Sequence, residues 1–276
     1  MDEKTKLPKV TVVIPTLNSS QTIQKCLDSL TAQSYPETEI VVVDAKSDDG
    51  TATLASKYHR TKVLISEKRS ASVQRNTGAL YASGDYLFFV DSDFVVPQDI
   101  IKNLVHFSII GNYDAVIINY RPVDATGGFT VKMLEALPQF YMNSPEKMAA
   151  RFVKRSVFLA IGYNQSLRFN EDLEFQRNLL AHRNRVGIIR GVNLYHLREP
   201  KTLREFVTRY VSHAHDFRGH VKSSEGKSFL RQQLLAYFRA LPNARERPNI
   251  YFMFIPVLEA IRSLSLIIGG LSINDS

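Results

Sequence analysis

The chain is poor in cysteine: Cys26 is the one thiol in 276 residues. That excludes an internal disulfide and any cysteine-based zinc site, and it suits a reducing compartment. The start, MDEKTKLPKV, has no apolar run, which argues against a signal peptide and points to a cytoplasmic location. There is no C-x-x-C pair, no basic heptad region and no aromatic-studded RNA-binding motif, so nucleic acid is not expected as a partner. Internal repeats and low-complexity segments are absent as well. Nor is there an unbroken apolar stretch able to cross a bilayer. The best candidate, IYFMFIPVLEAIRSLSLIIGGL at 250–271, contains Pro256, Glu259 and Arg262. Mid-bilayer charges cost about 2.5–3.5 kcal/mol each, so a spanning helix is rejected. Two readings of the segment remain open. It packs on the domain or on a twin subunit, as in a homodimer, or it rests on an anionic membrane surface at the cytoplasmic face.

What the chain does have is charge of one sign. Thirty-five Lys and Arg face 27 Asp and Glu, a formal net charge of +8. Such a balance attracts nucleic acid, anionic membranes or phosphorylated small molecules. With 44% apolar and 22% charged residues the composition is ordinary for one sizeable domain plus an appendage or for two small domains.

Apolar β-branched runs alternate with helical patterns through the first half. VTVVI at 10–14, closed by Pro15, suits a central parallel strand. Ser19 or Ser20 is placed to cap a helix whose Ile23, Cys26, Leu27 and Leu30 fall on one face. Strand 40–43, a helix over 51–58, strand 62–65, a helix over 70–82 ended by Gly84, and strand 86–91 follow. Pro97 starts a helix to about Phe107, 113–123 reads as a strand, and 129–148 reads as a helix interrupted near Pro138. NEDLEFQRNLLAHR is helical, RVGIIRGVNLYHL supplies one or two strands, and the chain turns helical and basic from Leu203. Strand–helix alternation at this spacing predicts a parallel sheet with right-handed crossovers.

The chemistry gathers where these strands end. A buried strand cannot hide a charge, so Asp91 and Asp93 in YLFFVDSDFVV should sit where the strand leaves the sheet. Residues i and i+2 face the same way on an extended chain, so both carboxylates can address one partner while Ser92 points away. Mg²⁺ or Mn²⁺ takes one or two carboxylates and completes its shell with water and phosphate oxygens. A capped turn is the plainer alternative. Asp44 closes the second strand and Asn18 follows the first, so three edges in succession carry polar residues. Asp48 and Asp49, in D-D-G-T, are good turn-and-cap chemistry without a ligand. Lys68, Arg69, Arg75 and Asn76 surround the start of the third helix, a setting that suits a phosphate or a solvated charged face.

In this order, VTVVIPTLN, IVVVDAKSDDGT, SASVQRNTGALYASGDYLFFVDSDFVV and SVFLAIGYNQSLRFNEDLEFQRNL resemble family 2 glycosyltransferases. The resemblance covers about residues 8 to 215 and implies the GT-A fold: α/β, with a Rossmann-like, mostly parallel sheet flanked by helices. A GT-A domain over 1–215 and a helical C-terminal extension over 216–276 are expected. It further implies a UDP- or GDP-linked sugar donor, a divalent Mn²⁺ or Mg²⁺ on the D-x-D pair, and inverting transfer to a glycan hydroxyl or a polyprenyl-phosphate-type acceptor. Pro15, Thr16 and Asn18 match the segment beneath the nucleoside, and Asp44 a position near the base. Arg69, Arg75, Asn76, Asp91 and Ser92 join them as donor contacts. Asp91 and Asp93 match the metal pair, His196 a histidine that meets the metal or diphosphate, and Asp172 of NED the catalytic base. Ala45 and Lys46 stand where many members carry an acid and a glycine, which leaves UDP and GDP both open. Two other readings remain. FFVDSDFVV also resembles the nucleophile motif of haloacid dehalogenase-type phosphatases, and the net charge alone would suit a non-catalytic basic module.

Overall fold

The computed structural model describes residues 6–124, 128–141, 145, 148–167, 170–198, 200–209, 211, 254–257 and 260–261. The chain forms two compact units. One comprises Met1–Asn119, Ala149–Leu167 and Glu171–Leu197; the other comprises Tyr120–Met148, Arg168–Asn170 and Arg198–Ser276. The expected boundary at 215/216, and the apolar segment 250–271 apart from 254–257 and 260–261, lie outside the described residues.

The first unit opens with β1 (Val10–Thr16), every residue of which is buried, as a strand covered on both faces must be. It continues through α1 (Ile23–Thr31), β2 (Thr38–Asp44), α2 (Thr51–Ala55), β3 (Thr61–Ile65), α3 (Ala71–Tyr81) and β4 (Tyr86–Phe89). In chain order there follow β5 (Phe94–Val95), α4 (Ile100–Ile110), β6 (Ala115–Pro122), then α5 (Phe129–Phe140) of the second unit, β7 (Ala150–Lys154), α6 (Arg155–Ile161), α7 (Glu171–Ala181) and β8 (Val186–His196). The eight strands form one sheet in the order β3-β2-β1-β4-β7-β6-β8-β5. The expected parallel pairing holds for β3, β2, β1 and β4. Beyond β4 the pairs β4–β7, β6–β7 and β5–β8 are antiparallel.

Several local expectations need correction. Neither Ser19 nor Ser20 caps α1: Thr22 occupies that position, and it is the Ser19 carbonyl that accepts the Thr22 and Ile23 N–H groups. The Ile23, Cys26, Leu27 and Leu30 face is buried as expected. α2 stops at Ala55, three residues early, and α4 begins at Ile100 rather than at Pro97. RVGIIRGVNLYHL makes one long strand. The two-residue β5 was not foreseen, since Phe94–Val95 is too short to carry a periodic pattern.

Two packing features aim the site. Gly78 lets α3 lie close on β1, because a Cβ there would overlap a Val13 methyl. That approach carries Gln74 to the carboxyl ends of the strands, where its Nε2 donates to the Thr16 carbonyl (2.8 Å) and the Val43 carbonyl (2.6 Å). The other feature is curvature. β5 follows β4 within a few residues, yet it ends the strand order. Strands lie about 4.8 Å apart, so a flat sheet would put β5 farther from β4 than the short link reaches at roughly 3.5 Å per residue. The outer strands must therefore curl back toward the end of β4.

In the second unit, Met133 of α5 and Phe206 of the helical residues 203–209 share a buried cluster with Leu134 and Ile261. Phe129 meets Phe254 edge-on at 4.9 Å between ring centres.

Candidate active site

The edge of the sheet at the ends of β1, β2 and β4 carries a polar network. Asp44, ending β2, is 1% exposed. Its carboxylate accepts from Thr16 Oγ1 (2.9 Å), the Ser47 N–H (2.8 Å) and Ser47 Oγ (2.6 Å). Ser47 Oγ in turn accepts the Asn18 N–H at 2.9 Å, and Asn18 Oδ1 accepts the Asp48 N–H at 3.1 Å. The loops after β1 and β2 are thereby stitched into one floor, with Pro15 and Thr16 buried in it. Asn18 and Lys46 take the left-handed conformation, at φ 49° and 56°. Asp49 is turn-and-cap chemistry as read: it accepts from Thr51 N–H, Thr51 Oγ1 and Ser20 N–H.

Beyond this floor Asp91 is held from both sides. Arg75 Nη2 donates to its Oδ1 at 2.8 Å, and Arg151 Nη1 to its Oδ2 at 2.9 Å. Burial would raise the Asp91 carboxyl, but the two guanidiniums outweigh it and hold the group well below the usual carboxylate range. Arg75, 9% exposed at its side chain, also donates from Nη1 to Glu171 Oε1 at 2.9 Å and stacks over the Tyr163 ring. The same cation leaves Glu171 in the opposite state. Burial and the neighbouring Asp172 charge push its carboxyl up, because it shares a single guanidinium and sits beside a second acid.

Asp93 has other company. Its Oδ2 lies 3.4 Å from His196 Nε2, with 24% and 13% side-chain exposure. The β5–β8 ladder makes this meeting: Phe94 pairs with His196, their rings pack edge-on at 4.8 Å, and the Leu197 N–H bonds the Asp93 carbonyl at 2.8 Å. Among the described residues no group of three or more His, Cys, Asp or Glu forms a ready metal cage. An Asp oxygen and a His nitrogen side by side at a solvent-reaching edge nonetheless fit a cation that takes its remaining ligands from water and phosphate.

Asp172 lies in the first turn of α7, where Asp172 Oδ1 accepts the Leu173 N–H at 2.8 Å. It is close enough to help keep Arg151 charged. Other expected donor contacts are turned inward. Ser92 donates to Ser19 Oγ at 2.8 Å, and both side chains are buried. Asn76 clamps the Tyr163 backbone with two bonds, 2.8 Å to the carbonyl and 2.9 Å from the N–H. Arg69 stands exposed beside the loop after β2, its Nη2 3.5 Å from the Lys46 carbonyl. Sequence reasoning missed Gln74 and Arg151, since a glutamine in a helix and an arginine in a short strand carry no motif of their own.

Residues 11–173 match the family described as Glycosyl transferase family 2. The chain belongs to that family. Its sequence is 32% identical over 162 residues to glycosyltransferase AglE of Haloferax volcanii, covering 56% of this chain and 53% of AglE. It is 34% identical over 124 residues to glycosyltransferase GlyA of Streptococcus pneumoniae, covering 44% of this chain and 18% of GlyA. The chain thus spans about half or less of these curated relatives. The mannosyltransferase PcManGT of Pyrobaculum calidifontis, solved with GDP-Man and Mn²⁺, superposes with a TM-score of 0.63 at 18% identity, over 98% of this chain and 89% of that one. TarS 1-349 of S. aureus with UDP-GlcNAc gives 0.59 at 20% identity, over 95% and 89%. The family 2 chain therefore has the GT-A fold. Among the described residues no helix is long and apolar enough to cross a membrane.

Proposed function

We propose that this family 2 chain transfers a sugar from a nucleotide-diphosphate donor to a hydroxyl or lipid-phosphate acceptor with inversion, assisted by a divalent cation. The observation that carries the reading is the division of labour in D-x-D. Both Asp91 oxygens are engaged by arginines, whereas Asp93 turns to His196. Asp93 and His196 would then hold Mn²⁺ or Mg²⁺, and Asp91 organises guanidiniums instead of holding the ion. The cation would offset charge that builds on the leaving diphosphate. PcManGT was solved with GDP-Man and Mn²⁺ and TarS with UDP-GlcNAc, which supports the nucleotide-sugar class and leaves either base admissible.

In the transfer, the anomeric C–O bond to the diphosphate breaks as the acceptor oxygen bonds to the opposite face of that carbon. A hydroxyl acceptor gives its proton to Asp172, whereas an ionised phosphate oxygen brings none, and the electron pair of the broken bond leaves with the diphosphate. The nucleoside rests on the floor of Pro15, Thr16, Asn18 and Asp44, where Asp44 keeps the loops in place. Arg69 flanks the floor. Family membership sets aside the phosphohydrolase and basic-module readings, and an Asp91 gripped by two arginines makes a poor nucleophile. The membrane-docking and homodimer readings of 250–271 concern residues mostly outside those described and stay with this proposal; of the described ones, Phe254 and Ile261 pack against α5.

The test is a panel of UDP- and GDP-sugars scored for nucleotide release, alongside thermal shift with UDP and GDP in the presence and absence of Mn²⁺. Stabilisation should require the metal and vanish in Asp93→Ala. An Asp93→Ala protein that binds UDP or GDP with unchanged metal dependence would refute the assignment.

A further inference from the structure

The Arg151 guanidinium is only half used. Its Nη1 is committed to Asp91, its guanidinium carbon lies 4.9 Å from the centre of the Phe94 ring, and its side chain keeps 17% exposure. Among the described residues Nε and Nη2 meet no hydrogen-bond partner, and neither is sealed away from solvent. The Nε–Nη2 edge is the planar fork with which arginine grips two oxygens at once. Arg75 differs: both its Nη atoms are taken, and its Nε is buried without a partner.

Strand order says what lies in front of that free fork. Across the sheet edge the sequence is β2, β1, β4, β7. The floor at the ends of β2 and β1 is the nucleoside end, and Asp93 after β4 is the diphosphate end. β7, which carries Arg151, is one strand farther on, about 4.8 Å beyond β4. A donor laid along this edge therefore has its sugar at β7, beside the Arg151 fork.

We propose that Arg151 binds the transferred sugar itself, through a pair of neighbouring oxygens, hydroxyls or a uronate carboxylate, and so selects the donor's glycosyl group. This rests on the transferase reading above. Asp91 is then a positioning residue that holds the fork in plane, and Arg151→Lys, which keeps the charge and loses the fork, is not a conservative change.

The experiment measures the affinity of wild type, Arg151→Lys and Arg151→Met for the nucleoside diphosphate alone and for the matching nucleotide sugar, all with Mn²⁺. Both variants should bind the diphosphate as wild type does and lose about tenfold or more in affinity for the nucleotide sugar, the weight of one charge-assisted bond or more. Repeating the pair with neutral hexose and hexuronate donors tells hydroxyls from carboxylate: the class Arg151 reads loses the more. Equal losses for diphosphate and nucleotide sugar, or no loss for either, would overturn the assignment while leaving the transferase reading standing. A wild-type protein that binds no nucleoside diphosphate would instead end both.

Discussion

Arg75→Met removes the charge that joins Asp91 to Glu171 while nearly preserving the length of the side chain. The two carboxylates should not suffer alike. Asp91 keeps Arg151 at 2.9 Å, whereas Glu171, with 16% side-chain exposure, has no other cation at hydrogen-bond distance among the described residues. Breaking one side of a buried ion pair costs about 3–5 kcal/mol, chiefly from the charge left behind. Glu171 has an escape, because burial and Asp172 already push its carboxyl above the ordinary value, and losing Arg75 pushes it higher. The sign follows. A carboxyl whose folded-state pKa exceeds its unfolded one binds its proton more tightly when folded, so the deficit is smallest below the unfolded value near pH 4. It grows as pH rises through the folded value and is then constant. Urea denaturation of wild type and variant from pH 4 to 8 should show this widening gap. Arg75→Met combined with Glu171→Gln should recover part of the loss at neutral pH. A deficit independent of pH and unrelieved by the second substitution would mean that Arg75 acts by packing over Tyr163, and the charge argument would fail.

Asp172→Asn keeps size and shape, so donor affinity should survive while turnover falls roughly 10²–10⁴-fold. A loss of donor affinity, read by titration, would reassign Asp172 to structure. Glu39 gives an acid-range prediction. Burial would raise its carboxyl, but Lys9 Nζ at 2.7 Å, with Thr11 and Ser83, holds it at about 2. A depressed carboxyl contributes stability above its unfolded value and loses it as pH falls toward the folded one. Glu39→Gln should therefore destabilise at neutral pH and converge with wild type between about pH 4.5 and 2 in acid titration.

The parallel half of the sheet was legible because its central strands are buried on both faces: VTVVI, IVVV and YLFF read as apolar runs with turns at their ends, while β3 is a partly exposed strand at the edge of the sheet. The carboxyl-edge placement of Asn18, Asp44, Asp91 and Asp93 followed from the same logic, since a charge must emerge where a buried strand stops. What could not be read was the partner each polar group chose. Asn76 and Arg75 are adjacent on one helix, yet one clamps a backbone and the other bridges two acids. Periodicity assigns a residue to a face of its element. It does not say which of several polar atoms on the facing element comes within 3 Å. Arg151 and β5 were missed for the related reason that both depend on pairing between distant segments.

The β5–β8 ladder has a consequence for the order in which the molecule is completed. β1 to β4 lie within the first ninety residues and can pair as they leave the ribosome, N-terminal segments first. Asp93 then waits on an edge with no partner until β8 has been made and folded back against β5. The stretch matched to the family ends at residue 173, short of that strand. A fragment cut there would hold both aspartates of D-x-D and the Asp172 carboxylate, and it would lack His196 and the register that seats it. If Asp93 and His196 hold a cation as proposed, its affinity would report on the last long-range closure of the sheet, and a loss in a truncated or β8-destabilised chain would be a folding result before a chemical one.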